Sequence, residues 1–164
     1  MTEKPVPVGI ELPHKALPSA DWADCYRLEV RGRKLTATEA AHLALDHSPA
    51  WARLLMRIRD VGAACLGLKT SRHHVPGSVA MIGMFPIISQ SDEQIVLGFD
   101  DRHLDFRLVI DVGPQADGLQ CICATTLVYR KILLGRVYIA LITPFHRLIA
   151  TSMLANIGRR TALT

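Results

Sequence analysis

Four stretches in the second half of the chain alternate between apolar and polar residues, and a long helical pattern follows them. The alternating stretches are residues 79–89, 94–100, 104–112 and 119–129. A period of two is typical of strands with one buried face, and the short linkers between the stretches favour antiparallel neighbours. A sheet with one apolar face needs a cover, which the amphipathic pattern of residues 132–160 supplies as a helix.

The first half of the chain predicts one strand followed by two helices. Residues 22–30 alternate as a half-buried strand does. Thr36-Ala37-Thr38-Glu39 has the form of a capping box, so a helix should begin at Thr36 and run to about His47. Ser48-Pro49 is typical of the start of a second helix, which should end near Gly67.

This order of elements predicts an α+β helix-grip fold. A curved antiparallel sheet of about five to seven strands would wrap around the long C-terminal helix, with two helices after the first strand. Pro144 should kink the long helix. Residues 1–13 hold three prolines and no periodicity, so we expect a flexible N-terminal arm there and a single helix-grip domain over residues 14–160.

Composition excludes several classes of protein. A hydrophobic fraction of 49% excludes a disordered chain, and no apolar run reaches the roughly 18 residues of a membrane span. The N-terminus has no signal-peptide pattern, which predicts a cytoplasmic protein. The net charge of +4 is dispersed, so we expect no nucleic-acid partner. The four cysteines have no CxxC spacing, and we predict buried thiols with no metal and no cofactor.

A row of charged residues is the first candidate for a binding site. Asp101, His103, Asp105 and Arg107 alternate and should project from one side of a strand. Turned towards a cavity between the sheet and the last helix, they would form a polar floor for an apolar ligand, where the arginine binds an anionic group. The alternative is that the intervening apolar residues face the core and the row faces solvent, which the alternation by itself favours.

The last helix supplies the second set of candidates. Tyr138, Ile142 and Phe145 fall on its apolar side and should line the cavity, because that side is predicted to face the sheet. His146 lies on the flank of the polar side, where it could cap a ligand at the cavity mouth.

Four motifs occur in order over roughly residues 14–157. They are Ala20-Asp21-Trp22-Ala23-Asp24, Gly67-Leu68-Lys69, the run from Val96 to Arg107, and Gly135-Arg136-Val137-Tyr138 followed by Pro144-Phe145-His146-Arg147. With these motifs the chain resembles the bacterial domain-of-unknown-function family 2867. The resemblance assigns no activity and no catalytic residue. It implies a place in the START and birch-allergen-like superfamily of helix-grip proteins, whose members bind lipids, hormones or polyketides in the cavity.

Three functions follow as hypotheses. The leading one is non-catalytic binding of a small hydrophobic ligand between the sheet and the C-terminal helix. The second makes the same cavity a cyclase, dehydratase or isomerase site, with His103 and either Asp105 or Asp101 as acid and base. The third is a peripheral membrane-surface protein, because residues 137–145 are nearly all apolar and Arg159-Arg160 follow.

Overall fold

The computed structural model describes residues 4–46, 80–101 and 104–161, except for the side chains at positions 134, 138 and 142. Its elements are β1 (Val6–Val8), β2 (Trp22–Arg31), α1 (Ala37–Leu45), β3 (Met81–Ile82), β4 (Phe85–Gln90), β5 (Gln94–Asp100), β6 (Leu104–Ala116), β7 (Leu119–Arg130) and α2 (Leu133–Thr161). The strands form one antiparallel sheet of seven, in the order β1-β2-β7-β6-β5-β4-β3. The α+β class and the antiparallel sheet are thereby confirmed. The second predicted helix lies outside the described residues.

Helix α1 begins as its capping box predicts. The Thr36 hydroxyl accepts a hydrogen bond from the Glu39 amide at 3.3 Å, and the Glu39 carboxylate accepts one from the Thr36 amide at 2.9 Å. Arg33 donates a further bond to Glu39 at 2.7 Å. The backbone hydrogen bond from Thr36 and the bond from Arg33 lower the pKa of Glu39, so its carboxylate stays charged at the helix start.

Strand β6 is longer than the alternation predicts, because it continues through Gly113 and Pro114. A shift in register between Val112 and Gln115 accommodates the proline, which cannot donate a backbone hydrogen bond to β7. The hairpin closes at Asp117 and Gly118, whose φ values of 51° and 73° suit the two-residue turns that match the twist of a sheet. The predicted strand over residues 79–89 corresponds to two strands, with Gly83 in the turn between β3 and β4.

The main core lies between one side of the sheet and the two helices, and we call this side the helix-facing side. Leu28 of β2 is opposite Ile122 of β7, which is itself opposite Val112 of β6. These residues pack with α1 and with Leu154 and Ile157 of α2. Each fully buried aliphatic side chain contributes about 1.5–3 kcal/mol relative to an exposed one, so the C-terminal half of α2 is firmly held to the sheet.

The opposite side of the sheet, the outer face, has a smaller core of its own. Val96, Val109 and Leu127 pack there with Leu17 and Ala20 from the segment before β2. That segment has no apolar periodicity, so the sequence pattern contained no signal for a cover on this face. The sheet is therefore partly buried on both sides.

Helix α2 is bent, as Pro144 predicts. The arms Gly135–Leu141 and Thr143–Thr161 meet at 60°. The Thr143 hydroxyl donates a hydrogen bond to the Ile139 carbonyl at 2.6 Å at the bend, where the proline has no amide to contribute. In the part of the chain that the structure describes, no single helix is long and apolar enough to cross a membrane, whereas the two arms taken together meet that test by length and composition alone.

The N-terminal half of α2 is rotated relative to the prediction. Phe145 belongs to the predicted sheet-facing side, yet it is 51% exposed, and Leu141 one turn before it is 68% exposed. Ile139 is buried instead, and His146 contacts the sheet. Helical spacing identifies an apolar side but not the side that meets the sheet. The sheet presents Asp24 and Thr126 at this point, and these polar groups pair with the histidine.

A buried glutamine connects the start of α1 to the sheet. The Gln120 amide oxygen accepts a hydrogen bond from the Leu35 amide at 2.9 Å, and its nitrogen donates to the carbonyls of Leu35 at 2.9 Å and Gly113 at 3.0 Å. Gln120 is fully buried in β7, so a residue without an amide would leave these three backbone groups unpaired.

We therefore expect Gln120→Leu to lower the free energy of unfolding by about 3 kcal/mol, since buried unpaired polar groups carry about 1–3 kcal/mol each. Chemical denaturation measures the loss. Gln90→Leu, at an exposed position of β4, is the matched control and should change stability by less than about 0.5 kcal/mol. Equal effects of the two substitutions would contradict the role assigned to Gln120.

Candidate functional site

A polar cluster of Asp24, Thr126 and His146 lies between α2 and the helix-facing side of the sheet. The register of β2 and β7 places Asp24 directly opposite Thr126. The Nε2 atom of His146 lies 3.2 Å from Asp24 Oδ1 and 3.1 Å from Thr126 Oγ1. The side chains of His146 and Asp24 are 21% and 17% exposed, so the cluster is largely shielded from water but still accessible.

Two aromatic residues of β2 flank the polar cluster. The Trp22 ring meets the His146 ring edge to face, with centroids 5.5 Å apart and an angle of 77° between the planes. Burial raises the pKa of Tyr26, and the negative charge of Asp24 raises it further. Tyr26 is therefore a neutral phenol at physiological pH. The contact with Trp22 limits the rotation of the histidine ring.

One oxygen of the polar cluster lacks a hydrogen bond of good geometry. Asp24 Oδ2 is buried and accepts none from the described residues, although the Tyr26 hydroxyl lies near the Asp24 carboxylate. A buried acceptor without a donor lowers stability by about 1–3 kcal/mol, and more when it is charged. A hydrogen-bond donor added beside this oxygen would therefore stabilise the site.

Three phenylalanines form an aromatic row on the same side of the sheet. Phe106 stacks on Phe85 at a centroid distance of 5.3 Å and on Phe99 at 5.5 Å. All three are half-buried. The row adjoins the polar cluster, because Phe106 lies opposite Val128, and Val128 lies opposite Trp22.

The next line of residues across the sheet leads into the polar cluster itself. Leu108, which is half-buried, lies opposite Thr126, and Thr126 lies opposite Asp24. The apolar surface at Leu108 and the polar cluster are therefore on neighbouring strands, which are spaced roughly 4.8 Å apart. This combination is characteristic of sites for small molecules that have an apolar body and one polar end.

The charged row predicted from the sequence lies elsewhere. Asp105 and Arg107 are opposite Tyr129 and Leu127, which belong to the outer face. Neither side chain can therefore form a polar floor under α2, and the enzymatic hypothesis that paired a histidine with Asp105 in that cavity does not fit this geometry. Asp101 follows β5, where its carbonyl accepts a hydrogen bond from Lys131 at 2.8 Å. His103 lies outside the described residues.

Arg107 stabilises the β5–β6 hairpin. Its guanidinium donates hydrogen bonds to the carbonyls of Phe99 at 3.1 Å and Phe106 at 2.9 Å, and it pairs with Asp100 at 2.7 Å. The hydrogen bond from Arg107 lowers the pKa of Asp100. Gly98 leaves room for this arrangement, since a Cβ there would collide with the Phe106 carbonyl and crowd the Arg107 side chain. The motif between Val96 and Arg107 thus has a structural explanation.

Two basic residues at the end of β7, Arg130 and Lys131, hold the end of the sheet in a similar way. Arg130 bonds to the Asp21 carboxylate through its backbone amide at 3.0 Å and its side chain at 3.1 Å. Lys131 pairs with Asp105 at 2.6 Å. Both acidic partners come from the quoted motifs, so these motifs include residues that join the strand ends to one another.

The residues predicted on α2 are only partly brought together. His146 belongs to the polar cluster, whereas Phe145 is half exposed. Tyr138 and Ile142 lie in α2, with side chains outside the described part of the structure. Sequence reasoning missed Asp24 and Thr126. A signal was present for Asp24, because it is the one carboxylate on the otherwise apolar side of its strand.

The three cysteines in the described residues form no site. Cys25 is buried and Cys121 and Cys123 are half-buried on the outer face. Burial and the neighbouring Cys121 raise the pKa of Cys123 to about 12, which makes it a poor nucleophile. Among residues 4–46, 80–101 and 104–161, no group of three or more His, Cys, Asp or Glu side chains is placed to hold a metal ion.

Comparison with known proteins identifies a family and nothing more specific. The family described as "Protein of unknown function (DUF2867)" matches residues 16–153. No curated protein and no solved structure matches the chain. The matched range begins before β2 and ends within α2, so it includes all three residues of the polar cluster.

We expect Arg107→Met to lower the free energy of unfolding by about 2 kcal/mol, because it removes charged hydrogen bonds to two carbonyls. The pKa of Asp100 is lowered in the folded state, so its pairing stabilises the protein above the ordinary value of 3.8 and is lost as the pH falls through the lowered value. The difference in stability between wild type and variant should therefore shrink in acid. Denaturation at neutral and acidic pH measures it, and a variant as stable as wild type would contradict the structural role.

Proposed function

This chain belongs to the DUF2867 family, and we propose that it binds a small, largely apolar molecule with one hydrogen-bonding end on the helix-facing side of its sheet. The polar end meets the polar cluster of Asp24, Thr126 and His146, and the apolar body lies along the aromatic row. The observation that carries the proposal is the adjacency of the two features, since Asp24 Oδ2 lacks a hydrogen bond of good geometry beside half-buried phenylalanines.

The aromatic row supports the apolar part of the ligand. Phe85, Phe99 and Phe106 are only half-buried, although they lie on the side of the sheet that carries the main core. Removing apolar surface from water contributes about 25 cal/mol per Å². An aliphatic chain laid along the rings therefore gains binding free energy without displacing the packed part of the core.

The polar cluster supports a hydrogen-bond donor at the ligand's end. Asp24 Oδ1 already contacts His146, and Oδ2 can still accept a hydrogen bond. A ligand hydroxyl satisfies this oxygen, whereas a ligand carboxylate meets the negative charge of Asp24. We therefore propose a preference for hydroxyl-ended over carboxylate-ended molecules.

The proposal includes a helix-grip relationship to START-like proteins. Its support is a seven-stranded antiparallel sheet with α2 packed across one side and a candidate site between them. The contact between His146 and Asp24 also contains the residue types that general acid–base catalysis uses. We propose binding rather than catalysis because the Nε2 atom already meets two protein partners.

Titration with decanol and decanoate tests this proposal. We expect saturable decanol binding by the wild type, detected by calorimetry and by a raised melting temperature. Asp24→Asn should weaken decanol binding about tenfold, which corresponds to about 1.4 kcal/mol for one charged hydrogen bond. The same substitution should strengthen decanoate binding, because it removes the negative charge.

His42→Gln is the matched control, since His42 also pairs with an aspartate, Asp46 at 2.8 Å, on the exposed surface of α1. This variant should bind both probes as the wild type does. The proposal fails if neither probe binds saturably, or if Asp24→Asn and His42→Gln change the two affinities equally.

A further inference from the structure

The N-terminal half of α2 exposes an apolar stripe of Leu133, Val137, Leu141, Phe145 and Leu148. Their exposed fractions lie between 50% and 75%. At about 100° per residue, the three residues before the bend fall within about 80° of one another, and Phe145 and Leu148 beyond it lie about 60° apart. Contiguous exposed apolar surface of this kind marks an interaction site, whereas scattered apolar residues do not.

The stripe crosses the bend of α2. Leu133, Val137 and Leu141 precede the bend, whereas Phe145 and Leu148 lie at the start of the arm Thr143–Thr161. Further along this arm, Leu154 and Ile157 are fully buried in the main core. The C-terminal end of α2 is therefore occupied by the sheet, and its N-terminal half presents an apolar side outwards.

The charge of α2 points to an anionic partner. The helix has no Asp or Glu in its 29 residues, and its ionised side chains are four arginines. Arg136 and Arg147 are exposed, and they lie about 60° from Leu133 and about 100° from Leu148 around the helix, respectively. Neither forms an ion pair with another residue in the part of the chain that the structure describes. An apolar sector with an arginine border is the pattern of helices that lie in a membrane interface.

We propose that the N-terminal half of α2 docks on an anionic lipid surface. The apolar stripe enters the boundary between headgroups and acyl chains, and Arg136 and Arg147 meet the lipid phosphates. The C-terminal end of α2, with Leu154 and Ile157, stays in the core, so the protein rests on the surface without crossing it. This proposal is independent of the ligand proposed for the polar cluster.

Other occupants of the stripe fit the charges less well. A second copy of the chain would bring its own Arg136 and Arg147 against the first pair. Residues 47–79 hold five Lys or Arg and one Asp by sequence, so they too carry positive charge. Like charges across an interface oppose binding, whereas an anionic lipid surface attracts each arginine.

Flotation with lipid vesicles tests the proposal on the full chain. We expect binding to vesicles of phosphatidylglycerol and phosphatidylcholine, little binding to phosphatidylcholine alone, and release by high salt. The double variant Leu133→Ser/Leu141→Ser should lower binding at least tenfold. Arg136→Gln/Arg147→Gln should remove the preference for anionic vesicles, because the affinity of this variant for them falls about tenfold.

Matched controls distinguish binding through this surface from non-specific adsorption to lipid. Ile88→Ser removes a half-exposed apolar side chain from β4, and Arg31→Gln removes an exposed charge from β2. Both should bind vesicles as the wild type does. Asp24→Asn should also bind normally, which distinguishes docking from occupation of the polar cluster.

Four results would overturn the proposal. They are absence of binding to anionic vesicles, binding that resists salt and yields only to detergent, a wild-type dimer that Leu133→Ser/Leu141→Ser converts to monomer, and a marked fall in melting temperature for that variant. Resistance to salt would indicate a helix that spans the membrane. A dimer that the variant dissociates would indicate that a second copy covers the stripe, and a lower melting temperature would indicate that another part of the chain covers it.

Discussion

The pairing register of β2 with β7 is the constraint on which the rest of the structure depends. Ten consecutive pairs, from Trp22 with Val128 to Arg31 with Leu119, fix which residues of each strand point towards the helices. One end of this ladder brings Leu28 against Ile122 in the main core, and the other brings Asp24 against Thr126 beneath α2. A slip of one residue would turn both sets to the outer face, so core and candidate site depend on the same register.

The motifs that identify the family divide into two groups by what their residues do. Gly98, Asp100 and Arg107 hold the β5–β6 hairpin together. Asp21 and Asp105 pair with the two basic residues at the end of β7. Trp22, Asp24 and His146, by contrast, meet beneath α2 and leave one carboxylate oxygen without a hydrogen bond of good geometry. A specific motif is therefore no guide to a binding site until its side chains are placed on a face.

The sequence predicted the elements well because their signals are local. The alternation in β5, the capping box at Thr36 and the bend at Pro144 are set by neighbours along the chain. The outer-face cover and the rotation of α2 were not predicted, because both depend on contacts between distant segments. His146 was a candidate, but its partners Asp24 and Thr126 are 122 and 20 residues away in sequence. No periodicity encodes such a convergence.

A nuclear magnetic resonance titration of the backbone amides with decanol tests the central claim most directly, because it reports where a ligand sits. The account predicts chemical-shift changes concentrated around Asp24, Thr126, Phe106 and His146, on the helix-facing side of the sheet. Changes centred instead on Val96, Val109 and Leu127 of the outer face, or no saturable change at any amide, would contradict it.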